Sequence, residues 1–200
     1  MNKTKIAVFV SGGGTNLQAI IDAQKNETIK SGEVVAVISD SANAYALERA
    51  KQNNIAAFII EEKNILDFES NIHEILIQNN IEMIVLAGFM RILSADFISK
   101  WSNLIINIHP SLIPSFCGKG CYGIHVHEKA LEYGVKVTGA TVHYVNEIPD
   151  GGKIISQKAV EILPSDTPET LQKRVMEEVE WVVFPKAVEK VALEIAKKRR

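Results

Sequence analysis

The sequence predicts one α/β domain, built on a mostly parallel sheet that helices cover on both faces. Runs of consecutive apolar residues alternate with amphipathic segments, and parallel strands need helical crossovers of this kind. The length of 200 residues suits a single domain with a sizeable core. Hydrophobic residues make up 46% and charged residues 23%, which argues against disordered, collagen-like and membrane-spanning classes.

The first half of the chain carries four apolar, β-branched runs that predict buried strands. They span residues 6–10, 34–38, 56–60 and 83–86. Three segments with apolar residues at helical spacing lie between them, at 16–25, 43–52 and 66–78. The first three strands are therefore each followed by a helix, as in a series of parallel βαβ units.

The second half begins with a further apolar strand at 104–108 and continues into a long loop. Residues 111–123 contain one proline and three glycines. Loops of this length at strand ends tend to be functional. A short helix at 125–133, strands at 136–145 and 154–160, and a helical segment over 167–200 complete the prediction. No repeat or clear linker divides the chain.

Charge and cysteine content narrow the range of partners. The 22 basic and 24 acidic residues give a net charge of −2, and neither sign forms a long block, so nucleic-acid binding is not expected. Cys117 and Cys121 are too few for a disulfide framework, which favours a reducing cytoplasm. The N-terminal apolar run is too short for a signal sequence or a membrane span. We therefore expect a cytoplasmic protein without nucleic-acid or membrane partners.

The turn after the first predicted strand reads Ser11-Gly12-Gly13-Gly14-Thr15-Asn16. Glycines at a strand–helix junction let backbone N–H groups approach an anion, so the turn is a candidate phosphate site. It is not a P-loop, because no Lys-Ser/Thr follows, and it lacks the third glycine of the dinucleotide fingerprint. The alternative is a plain tight turn in which Thr15 or Asn16 caps the helix.

A second candidate site lies at the end of the strand predicted over 104–108. Alternate spacing puts Asn107 and His109 on one side, at the edge where open α/β sheets bind ligands. An amide can donate to an oxyanion, and an imidazole can move a proton. Asp150 would charge and orient His109 if the fold brings them together. The alternatives are a histidine satisfied by loop backbone and an ordinary turn carboxylate.

Other chemistries have weaker support. Soft metal ligands could come from His125, His127, Cys117 and Cys121, but the spacing of these residues matches no standard zinc pattern. Structural or exposed roles are therefore expected for them. No Gly-x-Ser-x-Gly motif is present, which disfavours a serine hydrolase. Trp101 and Trp181 are expected to be core or packing residues.

Four stretches combine these features: residues 10–18, 86–93, 107–114 and 150–152. Together, and in this order, they resemble the phosphoribosylglycinamide formyltransferase family of folate-dependent enzymes of purine synthesis. The resemblance implies a Rossmann-like formyltransferase fold over residues 1–200. It further implies a nucleotide- and phosphate-binding half at 1–100 and a folate-binding and catalytic half at 101–200.

The activity implied by the resemblance is transfer of a formyl group from 10-formyltetrahydrofolate, a co-substrate, to the amine of glycinamide ribonucleotide (GAR). No metal is implied. Asn107 would hydrogen-bond the oxyanion, protonated His109 would stabilise it and donate a proton, and Asp150 would hold His109 charged while assisting proton transfer through water.

The resemblance also implies which residues contact the substrates. The residues implied for GAR are Gly14, Thr15, Asn16 and Glu180. The residues implied for folate are Met90, Arg91, Ile92, Leu93, Asn107, Asn146, Glu147, Ile148, Pro149 and Asp150. His143 matches a family histidine near the site, but a structural role on the strand is an open alternative, and it is not placed among the catalytic residues.

The sequence departs from the family pattern in three places. Some members carry an arginine after the third strand that meets the glutamate tail of folate, and residues 64–67 contain none. The loop at 115–123 resembles the longer of two family forms. Trp181 follows Glu180 where histidine is frequent.

Related activities and one non-enzymatic role are the alternatives. Methionyl-tRNA formyltransferases and formyltetrahydrofolate hydrolases share the formyl-folate domain but carry an additional domain, for which 200 residues leave no room. Pro110 also favours the glycinamide enzymes over both. A silent nucleotide-binding or scaffold protein is disfavoured by the joint presence of Asn107, His109 and Asp150. A monomer or weak homodimer is expected.

Overall fold

The computed structural model describes residues 2–199 and contains a seven-stranded sheet. The strands are β1 (Thr4–Val10), β2 (Gly32–Ser39), β3 (Ala56–Ile59), β4 (Met83–Leu86), β5 (Ile105–His109), β6 (Val137–Tyr144) and β7 (Ile154–Glu161). Their order across the sheet is β3-β2-β1-β4-β5-β6-β7. Strands β1 to β5 run parallel, whereas β6 and β7 pair antiparallel. The predicted α/β fold with a mostly parallel sheet is confirmed.

Seven α-helices and one π-helical turn surround this sheet within the described residues. The helices are α1 (Thr15–Lys25), α2 (Tyr45–Gln52), α3 (Ile65–Gln78), α4 (Ala95–Lys100), α5 (Ile124–Tyr133), α6 (Pro168–Val175) and α7 (Trp181–Lys198), and the π turn is Met176–Glu180. Helix α4 was not predicted, because six residues are too few to show helical periodicity. The helical segment predicted over 167–200 is confirmed as far as Lys198, with the π turn inside it. Arg200 lies outside the described residues.

Apolar side chains form a core on each face of the sheet. Leu17 of α1 and Phe184 of α7 pack on one face, and Phe68 of α3 and Phe97 of α4 pack on the other. Burial of apolar surface of this kind contributes roughly 25 cal/mol per Å² to folding. Trp101 is in the core, and Trp181, for which a core or packing role was expected, is 36% exposed and therefore not a core residue. It begins α7 and borders a groove beside α1.

The strand order reverses between β1 and β4, which is where open α/β sheets bind ligands. The loops that follow these two strands touch each other at Ser11. The Ser11 N–H donates to the Gly88 carbonyl at 3.1 Å, and the Ser11 Oγ accepts from the Met90 N–H at 2.9 Å. The fold therefore joins the predicted phosphate turn to the predicted folate loop. Within residues 2–199, no helix has the length and apolar character needed to cross a membrane.

Candidate active site

A cleft of about 570 Å³ opens at the carboxyl ends of β4 and β5. This volume falls in the range of about 300–1,000 Å³ that is typical of small-molecule sites. The cleft is lined by all of the residues expected to contact folate: Met90, Arg91, Ile92, Leu93, Asn107, Asn146, Glu147, Ile148, Pro149 and Asp150. His109 and His143 line it as well. The structure thus gathers these residues from three stretches of the chain, at 90–93, 107–109 and 143–150.

His109 lies at the end of β5 and is only 5% exposed. Its Nδ1 is 3.6 Å from the Asp150 Oδ2, and its Nε2 donates to the Phe116 carbonyl at 2.8 Å. The fold therefore brings Asp150 to His109, as the sequence suggested. The Phe116 carbonyl of the loop satisfies the other ring nitrogen. The alternative of a histidine hydrogen-bonded by loop backbone is therefore present as well. Both nitrogens face acceptors, an arrangement suited to an imidazolium.

The Asp150 carboxylate is held in a tight turn between β6 and β7. Its backbone φ of 57° is in the left-handed region, and a Cβ on Gly152 would lie 1.7 Å from the Tyr144 carbonyl oxygen, so only glycine fits at that position. The Gly118 N–H donates to Oδ2 at 2.8 Å. Burial raises the pKa of Asp150, but His143, the Gly118 N–H and His109 together outweigh burial and lower it.

His143 on β6 completes this cluster and is almost fully buried. Its Nδ1 lies 2.8 Å from the Tyr144 carbonyl oxygen, which fits the Nδ1–H tautomer. Its Nε2 lies 3.2 Å from the Asn107 Nδ2 and 3.7 Å from the Asp150 Oδ1. Asn107 and His143 are direct partners across β5 and β6. This contact depends on the antiparallel register of β5 and β6, and no local pattern in the sequence indicates that register.

His127 of α5, for which a structural or exposed role was expected, lies in the interior. It is fully buried, and neither ring nitrogen has a hydrogen-bond partner within residues 2–199. Burial, and then the nearby charge of His109, lower the pKa of His127 to about 4. The His127 imidazole is therefore neutral at physiological pH and adds no positive charge beside His109.

The glycine turn leads directly into α1. Gly14 is the N-cap residue, with a φ of 69°, and no side-chain hydrogen bond caps the helix. The alternative in which Thr15 or Asn16 caps the helix is therefore wrong. Because the first N–H groups of a helix have no partner inside it, they are available to an anion here.

Asn16 and Glu180, both expected to contact GAR, lie together beside this turn. The Asn16 Nδ2 donates to the Glu180 Oε2 at 2.6 Å, although the residues are 164 positions apart. The Asn16 Oδ1 is buried and has no partner among the described residues, so it can accept from a ligand hydroxyl or amine.

Glu180 is the last residue of the π turn and is 8% exposed. Burial raises the pKa of its carboxyl, while the hydrogen bond from Asn16 acts in the opposite direction. π turns insert an extra residue into a helix and are frequent at functional sites. This one brings a carboxyl group against α1 that a regular helix would place differently.

The residues considered as soft metal ligands are distributed through the loop and α5. Cys117 and Cys121 are free thiols, and no metal-binding group of three or more His, Cys, Asp or Glu side chains occurs in residues 2–199. The Cys121 Sγ lies 3.2 Å from the Lys129 Nζ, and His125 pairs with Glu128 at 2.7 Å.

Known proteins share this fold and much of this sequence. The Formyl transferase family profile matches residues 4–188. A phosphoribosylglycinamide formyltransferase of Haemophilus influenzae is 41% identical over 184 residues, covering 90% of this chain and 84% of that protein. The solved structure of the phosphoribosylglycinamide formyltransferase from Coxiella burnetii is 41% identical, covers 96% of this chain and 89% of that one, and superposes with a TM-score of 0.87.

A longer relative matches over the same region. The trifunctional purine biosynthetic protein adenosine-3 of Gallus gallus is 45% identical over 194 residues, which are 96% of this chain. The match covers 19% of that protein, so the chain spans about a fifth of its length. Because the family profile covers most of the chain and the bacterial relative matches over nearly its full length, the chain belongs to the formyl transferase family, alongside the phosphoribosylglycinamide formyltransferases.

Proposed function

We infer that the protein transfers the formyl group of 10-formyltetrahydrofolate to the amine of glycinamide ribonucleotide in purine biosynthesis. The observation that carries this proposal is the convergence of Asn107, His109 and Asp150 in a cleft that adjoins the glycine turn. The cleft would hold the folate and the turn would hold the phosphate of GAR. The Ser11 contacts between the two loops support placing both substrates at one centre.

Attack of the GAR amine on the formyl carbon forms a C–N bond and turns the formyl oxygen into an oxyanion. The Asn107 amide has two hydrogens, so one can donate to this oxygen while the other faces His143. The His109 imidazolium stabilises the same negative charge, and the Asp150 carboxylate favours the charged ring. No covalent enzyme intermediate is needed.

Collapse of the tetrahedral intermediate re-forms the carbonyl and breaks the bond to the folate nitrogen. The amine loses one proton and the departing nitrogen gains one, so the step balances without an added base. His109 would donate and Asp150 would assist the transfer through water, which are general acid–base roles.

We propose the following contacts for the two substrates. Gly14, Thr15 and Asn16 bind the phosphate and neighbouring groups of GAR, and Glu180 holds its ribose or amine end. Asn16 contacts Glu180, which supports one shared ligand. Residues 90–93 and 146–150 both line the cleft and would enclose the folate.

We propose that the protein acts on small molecules in the cytoplasm, as a monomer or weak homodimer, without nucleic-acid or membrane partners. The net charge of −2 supports this, because backbone amides at a glycine turn can hold one phosphate without a basic patch.

The test is a formyl-transfer assay with purified protein and 10-formyltetrahydrofolate. Tetrahydrofolate and formylated GAR should appear together, in equal amounts, only when GAR is supplied. Release of formate at the same rate without GAR would replace the transferase proposal with a hydrolase. Absence of turnover with either acceptor would support a silent binding protein.

A further inference from the structure

Arg49 of α2 lies behind the glycine turn and contacts three parts of the structure at once. Its Nε donates to the Gly13 carbonyl at 2.8 Å, and its Nη1 donates to the Gln18 Oε1 of α1 at 3.2 Å. The guanidinium carbon lies 5.0 Å from the centroid of the Tyr45 ring. One side chain therefore links the turn, the helix that follows the turn, and its own helix.

The turn is also seated on the backbone of α2. The Ala46 N–H donates to the Gly12 carbonyl at 3.1 Å. A Cβ on Gly14 would lie 2.6 Å from the Ala46 Cβ, so the turn is pressed against the helix. The carbonyl groups of Gly12 and Gly13 thus both point toward α2.

The direction of these carbonyls determines where the next N–H groups point. In a planar trans peptide, the C=O and the N–H point in opposite directions. The N–H groups of Gly13 and Gly14 therefore point away from α2. They lie next to the uncapped first turn of α1, where the phosphate of GAR is proposed to bind.

We propose that Arg49 is a positioning residue that fixes the Gly13–Gly14 peptide so that its N–H group faces the acceptor phosphate. The inference rests on the proposed GAR site but adds a residue outside the cleft. Glycine peptides rotate with little steric resistance, so the turn needs an external constraint to present its donors in one orientation. An arginine meets this need because its planar fork bonds the carbonyl and Gln18 together, which a lysine ammonium does not reproduce.

The first experiment compares two acceptors, GAR and its dephosphorylated riboside, at saturating 10-formyltetrahydrofolate. Arg49→Ala should raise KM for GAR by ~10-fold or more, the size expected when donors to a charged group are misplaced. Its kcat should change little, and its kcat/KM for the riboside should match that of the wild type. The KM of Arg49→Lys for GAR should lie between the values of the wild type and Arg49→Ala, because lysine keeps the positive charge but lacks the planar guanidinium.

Lys51→Ala is the matched control, because it removes a positive charge from the exposed end of the same helix. It should leave both acceptors unaffected. Equal losses by Arg49→Ala on GAR and riboside, or an unchanged KM for GAR, would overturn the inference. Thermal unfolding of each variant shows whether the variant folds. If Arg49→Ala does not fold, Arg49→Lys replaces it in the comparison with Lys51→Ala.

Binding of ribose 5-phosphate, measured by calorimetry, gives a readout that needs no turnover. Arg49→Ala should weaken it ~10-fold and Lys51→Ala should not. Equal affinities, or no binding to the wild type, would count against Arg49. If binding depends on Arg49 but no formyl transfer occurs, the proposed reaction fails while the positioning role stands.

Discussion

At the level of single residues, the Asp150 carboxyl is subject to opposing influences. Burial favours its neutral form, whereas His143, the Gly118 N–H and His109 favour the anion, and the anion is favoured overall. A carboxylate with a pKa below its ordinary value remains charged at neutral pH. It therefore places a negative charge 3.6 Å from the His109 Nδ1.

Asp150→Asn should lower kcat by ~100-fold or more, because acid–base groups typically contribute 10² to 10⁴. The amide keeps the shape of the side chain but removes the charge that supports His109. Steady-state kinetics with both substrates should show an unchanged KM for GAR. Asp96→Asn makes the same chemical change at an exposed site and should have no effect. Normal turnover in Asp150→Asn would remove this residue from the mechanism.

The residue types of the candidate site could be predicted from the sequence more readily than their contacts. Asn107 and His109 were found by alternate spacing on one strand, which is a local property. His143 reaches Asn107 only through the pairing of β5 with β6, and the pairing register depends on the whole sheet. His127 has no local signal either, since a buried histidine and an exposed one look alike in a short helix.

At the level of elements, the turn between β1 and α1 depends on one glycine more than on its neighbours. Gly14 has a φ of 69° and is pressed against Ala46, whereas a Cβ on Gly12 would meet nothing within 4 Å. Gly14→Ala should therefore move the turn away from α2 and raise KM for GAR, while KM for folate stays the same.

The same substitution should lower the free energy of unfolding by about 1–2 kcal/mol, the cost of a side chain in the left-handed region. Gly12→Ala is the matched control and should leave KM for GAR near the wild-type value. Steady-state kinetics and urea unfolding measure the two effects. If both variants behave alike, Gly14 has no special role in the phosphate site.

Elements with a strong apolar pattern were predicted well, including the four-residue strands β3 and β4, whereas α4 and the π turn were not. The first three helices and the buried strands show apolar spacing over several turns or residues. Helix α4 is one and a half turns long and depends on the Ser94 cap. The π turn has the apolar pattern of the helices around it, so its extra residue becomes visible only in the hydrogen bonding.

At the level of the whole molecule, two buried titratable groups act in opposite directions on stability. Glu180 has a raised pKa, so the folded protein holds its proton more tightly and acidification favours folding. His127 has a lowered pKa, about 4 against an ordinary 6.5, so the unfolded chain binds the proton first and acidification favours unfolding.

Between pH 7.5 and 5.0, His127 should reduce the free energy of unfolding by about 2 kcal/mol. Its contribution is complete above its unfolded pKa and declines as the pH falls toward the folded value. Urea unfolding at both pH values measures the change. His127→Gln cannot take up a proton in this range, so it should lose about 2 kcal/mol less than the wild type over the same interval. Parallel losses in the two proteins would contradict a neutral, buried imidazole.

Backbone groups of the loop at 111–123 are hydrogen-bond partners of His109 and Asp150. The Phe116 carbonyl accepts from His109, and the Gly118 N–H donates to Asp150. An oxyanion that forms in the proposed reaction is an acceptor, like the Phe116 carbonyl. A substrate amine or a water molecule is a donor, like the Gly118 N–H. If reactants displaced the loop, hydrogen bonds would be exchanged one for one, so neither the imidazole nor the carboxylate need pass through an unsolvated, unpaired state.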